Sequence, residues 1–280
     1  LKVEVLELLD TLVAQINTQQ MGIPIGNLLL PDLPRTEEPG AFYASGKKFP
    51  VLWLLHGTFG DYTDWLRKSN VELYACEKDL IVVMPSAQNT DYANWDGFGV
   101  GCRMWDYLTE ELMPLVYGWF PASKEKKDNF IAGLSMGGRG AIMYAFAYPE
   151  KFAAMYSMSC VPQDMRQLED GGVWGGRNKN RLANAGGLDG WLASYQNTWD
   201  KTPEMAKNPA LPKLYFACGT KDALMYENFV QYRAWAKACG LPAAFLEAEG
   251  YDHEWRFWEK CVQDAIEKFL PGDDKRGNAC

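Results

Sequence analysis

Asn129-Phe130-Ile131-Ala132-Gly133-Leu134-Ser135-Met136-Gly137-Gly138-Arg139 is the stretch on which the fold turns. Asn129 to Ala132 reads as a short buried strand. Arg139 to Tyr148, rich in Ala, Met and Tyr, reads as a helix. Between them lies a G-x-S-x-G pattern. A strand, a tight turn with serine at its apex and then a helix form the context that a nucleophile elbow requires. So sharp a turn brings the residues two positions either side of the serine against strand and helix, where a Cβ would clash. Taken alone the pattern is weak, because the chain holds 26 glycines in 280 residues. An ordinary strand-to-helix turn with a surface serine is the competing reading.

Outward from the elbow, apolar runs alternate with helical patterns. Pro50 to Leu55, Leu80 to Met84, Phe152 to Met158, Lys213 to Ala217 and Ala243 to Glu247 read as buried strands. Helices are expected over Asn70 to Glu77, Met104 to Phe120, Tyr226 to Ala238 and Trp255 to Phe269. Continuous apolar strands separated by helices predict an α/β fold, a mostly parallel sheet covered on both faces. Val3 to Leu8 and Ile25 to Leu30 are expected to add antiparallel edge strands. We expect a single domain over 1–280. One segment, Ser159 to Pro212, has no clear strand, is punctuated by glycine pairs and carries Trp174, Trp191 and Trp199. Long segments of this kind in compact domains are usually functional or disordered, and the tryptophans argue against disorder. It is expected to lie over the site as a lid-like insertion, against the blander reading of a packing excursion on the sheet's flank.

Composition narrows the function classes. A hydrophobic fraction of 48% and a charged fraction of 23% are ordinary for a globular protein. The net charge of −8 argues against a nucleic-acid binder, which wants a basic face. No apolar run has the length of a membrane span. The seven cysteines include no C-x-x-C pair, and Cys76, Cys102, Cys160, Cys218, Cys239 and Cys261 lie mostly in or beside apolar segments. They read as reduced thiols, which leans toward a reducing, cytoplasmic compartment. The start, Leu1-Lys2-Val3-Glu4-Val5, lacks the apolar core of a signal peptide. Because the chain begins at Leu, secretion stays open. With two histidines and no Cys/His cluster, no metal site is expected.

A serine hydroxyl is a weak nucleophile until a base takes its proton. Only His56 and His253 carry an imidazole. In α/β-hydrolases the order along the chain is nucleophile, acid, histidine, each at a carboxyl-terminal strand end. His253, between the last strand and the last helix, meets that order; His56 does not and reads as a residue that shapes its loop. Asp222, in the turn Gly219-Thr220-Lys221-Asp222 after a strand, is the leading acid, with Asp252 the weaker choice. Two backbone N–H groups must hold the oxyanion. One is expected from Met136, the residue after the nucleophile. The other is expected from His56-Gly57-Thr58-Phe59-Gly60, with Thr58 preferred and Phe59 the alternative.

These motifs together resemble the esterase D-like "putative esterase" family of α/β-hydrolases. The resemblance is carried by Leu54 to Gly60 with Trp65 after it, Glu110 to Pro114 before Phe120-Pro121, Ile131 to Gly138, and Tyr148 to Phe152. It continues through Gly219 to Asp222 and His253 to Trp258. That family includes tributyrin, feruloyl and acetylxylan esterases, S-formylglutathione hydrolases and mycolyltransferases. The resemblance implies a triad of Ser135, Asp222 and His253, an oxyanion hole of the Thr58 and Met136 amides, and no cofactor. Formylglutathione hydrolases usually carry His before the nucleophile, where this chain has Leu134. The expected function is therefore a serine carboxylesterase acting on feruloyl or acetyl esters of plant polysaccharide, or on short-chain acyl esters. The expected partner is a small-molecule or oligosaccharide ester. An S-formylglutathione hydrolase and a non-catalytic carbohydrate-binding protein are the alternatives. Phe59, Trp95, Trp105, Trp174, Trp199 and Trp255 are candidate aromatic walls for a planar acyl group or a sugar ring. Packing of the core is the competing role for each.

Overall fold

A computed structural model describes residues 3–8, 11–16, 25–31, 38, 41, 44–97, 101–168 and 175–272. The strands are β1 Val3–Leu8, β2 Thr11–Ile16, β3 Ile25–Leu29, β4 Val51–Leu55, β5 Ile81–Pro85, β6 Asn129–Leu134, β7 Ala154–Met158, β8 Lys213–Gly219 and β9 Ala243–Ala248. They form one nine-stranded sheet in the order β1-β2-β3-β5-β4-β6-β7-β8-β9. Pairing is antiparallel from β1 to β3 and from β3 to β5, and parallel across the rest. The expected α/β-hydrolase fold is the fold observed. The antiparallel edge has one strand more than expected, β2, which forms a hairpin with β1.

The central strands are apolar throughout because both faces are covered. Along β4, Val51, Trp53 and Leu55 enter one core with Ile81, Val83 and Ile131. Leu52 and Leu54 enter the opposite core with Val82 and Phe130. The helices are α1 Asp64–Lys68, α2 Val71–Glu77, α3 Met113–Trp119 and α4 Met136–Ala147. Then come α5 Gly175–Asn184, α6 Leu188–Ala193, α7 Thr198–Met205, α8 Tyr226–Cys239 and α9 Trp255–Phe269. A helical turn at Met104–Asp106 runs through a π-helical stretch, Tyr107–Leu112, into α3. Helix α4 covers the first face through Ala141, Ile142 and Ala145. Helices α2 and α9 cover the second through Val71, Ala75, Val262 and Ile266. On α9, Phe257, Trp258, Cys261, Val262, Ala265, Ile266 and Phe269 repeat at helical spacing, which is why its bounds were legible.

Among its described residues, the segment between β7 and β8 holds a 3-10 turn at Met165–Gln167 and three α-helices, α5 to α7. Helix α5 was not expected because its buried positions are Asn178 and Arg181 rather than apolar residues. An apolar period cannot reveal a helix whose inner face is polar. Of the six described cysteines, Cys76, Cys160, Cys218 and Cys261 are buried. Cys280 lies outside the described residues.

The elbow explains why β6 and α4 meet as they do. Ser135 sits at φ 51° and ψ −115°. A Cβ on Gly133 would run into the backbone of Gly137, and one on Gly137 would run into the carbonyl of Leu55. We expect Gly137→Ala to destabilise the fold by about 1–3 kcal/mol through overpacking. A urea titration checks this, and an unchanged midpoint would show that the contact relaxes.

Candidate active site

The strand ends of β4, β5, β6, β7, β8 and β9 bring the loops of the site together at one edge of the sheet, as open α/β sheets do. At the end of β6, Ser135 donates its amide to the Met158 carbonyl at 2.8 Å and accepts from the Arg139 amide at 3.0 Å. The serine is thereby pinned to β7 on one side and to the first turn of α4 on the other.

Asp222 follows β8 and is fully buried. Its Oδ1 accepts the amides of Leu224 at 3.1 Å and Met225 at 3.0 Å. Its Oδ2 accepts from His253 Nδ1 at 2.8 Å. Both carboxylate oxygens are therefore committed, and the imidazole is held with Nε2 turned away from the acid. Trp258 meets the His253 ring edge-on at 5.0 Å, and its indole N–H donates to Ser159 Oγ at 3.1 Å. The competing acid, Asp252, spends Oδ1 on the His253 amide at 2.7 Å.

His56 is buried and serves the loops. The Ala87 amide donates to its Nε2 at 2.8 Å, so Nδ1 carries the proton and donates to the Gly57 carbonyl at 2.7 Å. Burial lowers its pKa and keeps the ring neutral. This ties the loop after β4 to the loop after β5. In the first of these loops, the Phe59 amide donates to Asn89 Oδ1 at 2.8 Å. That commitment takes Phe59 out of the oxyanion role and leaves the Thr58 amide as the loop's candidate.

Two cavities open at Ser135, and both are also lined by Thr58. One, of about 310 Å³, is lined by His253, Phe59, Leu224, Trp255 and Trp258 among others. The other, of about 40 Å³, is lined by Met136, Arg139, Cys160, Gln163, Arg177 and Arg181 among others. Two of the six aromatic candidates thus reach the site: Phe59, 88% exposed, at the rim, and Trp255, edge-on to Trp65 and Trp258. Three are corrected to packing roles, since neither cavity is lined by them. Trp105 stacks on Tyr144 and Tyr195 at 4.3 and 4.2 Å. Trp199 stacks on Trp235 at 5.7 Å. Trp95 donates its indole N–H to the Thr90 carbonyl at 2.6 Å. Trp174 lies outside the described residues.

The second cavity's charged wall was not foreseen. Asp91, fully buried, receives bidentate pairs from Arg177 and Arg181, with contacts of 2.7 to 3.1 Å. Burial favours the neutral acid, but the charges of Arg181, Arg139 and Arg177 win and hold its carboxyl far below the usual carboxylate range. Arg177 also donates to Thr58 Oγ1 at 2.9 Å and reaches Met136 Sδ at 3.1 Å. Asn184 adds two ties from α5 to the loop after β5, accepting from the Gly97 amide and donating to the Asn94 carbonyl. One signal for this wall was present in the sequence. Arg139 stands in the first turn of the helix after the nucleophile, where a positive charge opposes the helix dipole.

The family described as "putative esterase" matches residues 36–266. The acetyl esterase of Caldicellulosiruptor saccharolyticus is 26% identical over 271 residues, covering 91% of this chain and 97% of that protein. Among solved structures, fluorophosphonate-binding serine hydrolase F of Staphylococcus aureus is similar with a TM-score of 0.76 at 26% identity, covering 94% and 98% of the two chains. The S-formylglutathione hydrolase of the same organism gives a TM-score of 0.74 at 28% identity, covering 96% and 99%.

Asp91→Asn would leave two guanidinium groups without their carboxylate, and we expect a loss of about 3–5 kcal/mol. Because the folded pKa of Asp91 is depressed, its stabilisation is complete above the ordinary carboxylate value of about 4. It is lost as pH falls from there through the depressed value. The stability gap between the wild-type protein and Asp91→Asn in denaturant titrations should therefore narrow toward acid. A gap that stays constant would contradict this account.

Proposed function

The chain belongs to the "putative esterase" family and is a carboxylesterase-type serine hydrolase, and from that premise we propose that it removes a short acyl group from a larger alcohol through an acyl-Ser135 intermediate. The observation that carries this reading is the His253 imidazole, fixed by a buried Asp222, in the wall of the same cavity as Ser135. In this mechanism Ser135 Oγ attacks the ester carbonyl and His253 Nε2 takes its proton. Asp222 orients the ring and stabilises the imidazolium. The Met136 and Thr58 amides receive the oxyanion. His253 then gives the proton to the departing alcohol. Water, activated by the same imidazole, releases the acid.

The two cavities support a division of the substrate. The leaving alcohol must stand beside His253 to be protonated, so it takes the larger cavity, whose Phe59, Trp255 and Trp258 suit a sugar or aromatic ring. The acyl group then enters the smaller cavity of about 40 Å³. That volume favours acetyl and other short acyl groups over a hydroxycinnamoyl group. A formyl thioester is the second reading. The small acyl cavity accommodates it, and it acts by the same steps.

A fluorophosphonate probe should label the wild-type protein and fail to label Ser135→Ala. Asp222→Asn should lower kcat by about 10³–10⁴-fold with the fold intact by circular dichroism. Among methyl ferulate, acetylated xylan, S-formylglutathione and 4-nitrophenyl butyrate, the short-acyl esters should be turned over fastest. Faster turnover of methyl ferulate would overturn the short-acyl reading. Absence of both labelling and turnover would overturn the esterase reading.

A further inference from the structure

The wall of the smaller cavity holds three guanidinium groups against one carboxylate. Asp91 is consumed by Arg177 and Arg181. Arg139 makes no hydrogen bond to it, although the charge of Asp91 acts on it. Its Nε and Nη2 are buried without a hydrogen-bond acceptor, and its guanidinium lies over the face of Trp191, 4.8 Å away. The remaining groups that line this cavity are neutral: Thr58, Ser135, Met136, Ser159, Cys160, Gln163 and Met225. Cys160 stays a thiol because burial pushes it up to about 11.

Such an arrangement is costly. A buried guanidinium without an acceptor forfeits its hydration. Arg181 and Arg177 repel it, and the N-terminal end of α4 opposes it further. Burial, with Arg181 beside it, pulls its pKa down to about 10, which still leaves it charged at neutral pH. Asp91, already shared between two arginines, offsets this charge in part but gives Arg139 no hydrogen bond. An anion entering from the Ser135 side would supply the missing acceptor and meet a planar fork suited to a carboxylate.

We propose that the cavity formed by Arg139, Arg177 and Arg181 recognises a carboxylate on the acyl part of the substrate, so that the enzyme prefers half-esters of short dicarboxylic acids. The inference rests on the acyl-enzyme reading of Ser135 and on the assignment of the His253 side to the leaving alcohol. The cavity is the smaller of the two at Ser135, about 40 Å³, which favours a short acyl chain. A succinyl-type chain places its far carboxylate a short distance beyond the carbonyl that Ser135 attacks. In the chemical step the ester C–O bond breaks and the Ser135 Oγ–carbonyl bond forms. The distant carboxylate is unchanged throughout.

The test compares three esters of one phenol type, each corrected for its uncatalysed rate: phenyl butyrate, phenyl hydrogen succinate and 4-carboxyphenyl butyrate. We expect kcat/KM for the succinate half-ester to exceed that for phenyl butyrate by about tenfold or more, the strength of a hydrogen bond between charged groups. In Arg139→Met that ratio should fall by about the same factor. A ratio near one in the wild type, or a ratio that Arg139→Met does not move, overturns the proposal and leaves the esterase reading standing. A preference for 4-carboxyphenyl butyrate would place the anion site on the alcohol side and overturn the acyl assignment. Turnover of none of the three, with no fluorophosphonate labelling, overturns the esterase reading itself. If Arg139→Met does not fold, inhibition of phenyl butyrate hydrolysis by free succinate and free butyrate at matched ionic strength decides in the wild type. Succinate at least about tenfold tighter supports the site, and equal inhibition overturns it.

Discussion

Helix α4 begins where Gly137 passes so close to β4 that a Cβ on it would strike the carbonyl of Leu55. This close approach is the constraint on which the rest of the site depends. It forces the chain to turn within one residue, and Ser135 takes the strain at φ 51°. The turn is held by β7 through the Met158 carbonyl and by the first turn of α4. Once that residue is fixed, the amide of Met136 and the side chain of Arg139 have fixed directions too. The chemistry of the site and the packing of strand on helix are therefore one problem, solved by two missing Cβ atoms.

Charge in this site is arranged in two buried systems of opposite design. Asp222 is satisfied by two backbone amides and one imidazole, so its role is to hold a ring in place. Asp91 is satisfied by two arginines, and its role is to hold a helix and a loop together. Each carboxylate is fully buried and each has no spare oxygen. The difference lies in the partner. An imidazole can give up its charge and guanidinium groups cannot, which suits the first system to proton transfer and the second to a permanent tie.

Much of this was legible in the sequence because apolar periodicity and strand-end chemistry agree. β4, β5, β6, β7, β8 and β9 are uniformly apolar or nearly so, and the glycine-serine-glycine turn announces its own sterics. The order of Ser135, Asp222 and His253 followed from where loops leave a parallel sheet, and the structure brings Asp222 and His253 into contact. Two things were not legible. Helix α5 hides its inner face in Asn178 and Arg181, polar residues that a hydrophobic period cannot count. The aromatic reading failed at Trp95, Trp105 and Trp199 because a large ring satisfies a stacking partner as readily as a substrate, and sequence does not say which is nearer. Asp91 and the three arginines, up to ninety residues apart along the chain, meet only in the folded protein.

Arg177 touches the buried carboxylate of Asp91, the hydroxyl of Thr58, the sulfur of Met136 and the carbonyl of Asn89. A single side chain from α5 therefore rests on side chains from both segments that flank Ser135. The segment between β7 and β8 is consequently not an interchangeable cover. Replacing α5 with a helix that lacks an arginine at position 177 would remove a brace from the loop after β4. Any change in α5 that removes Arg177 therefore reaches the Thr58 loop as well as the cavity wall.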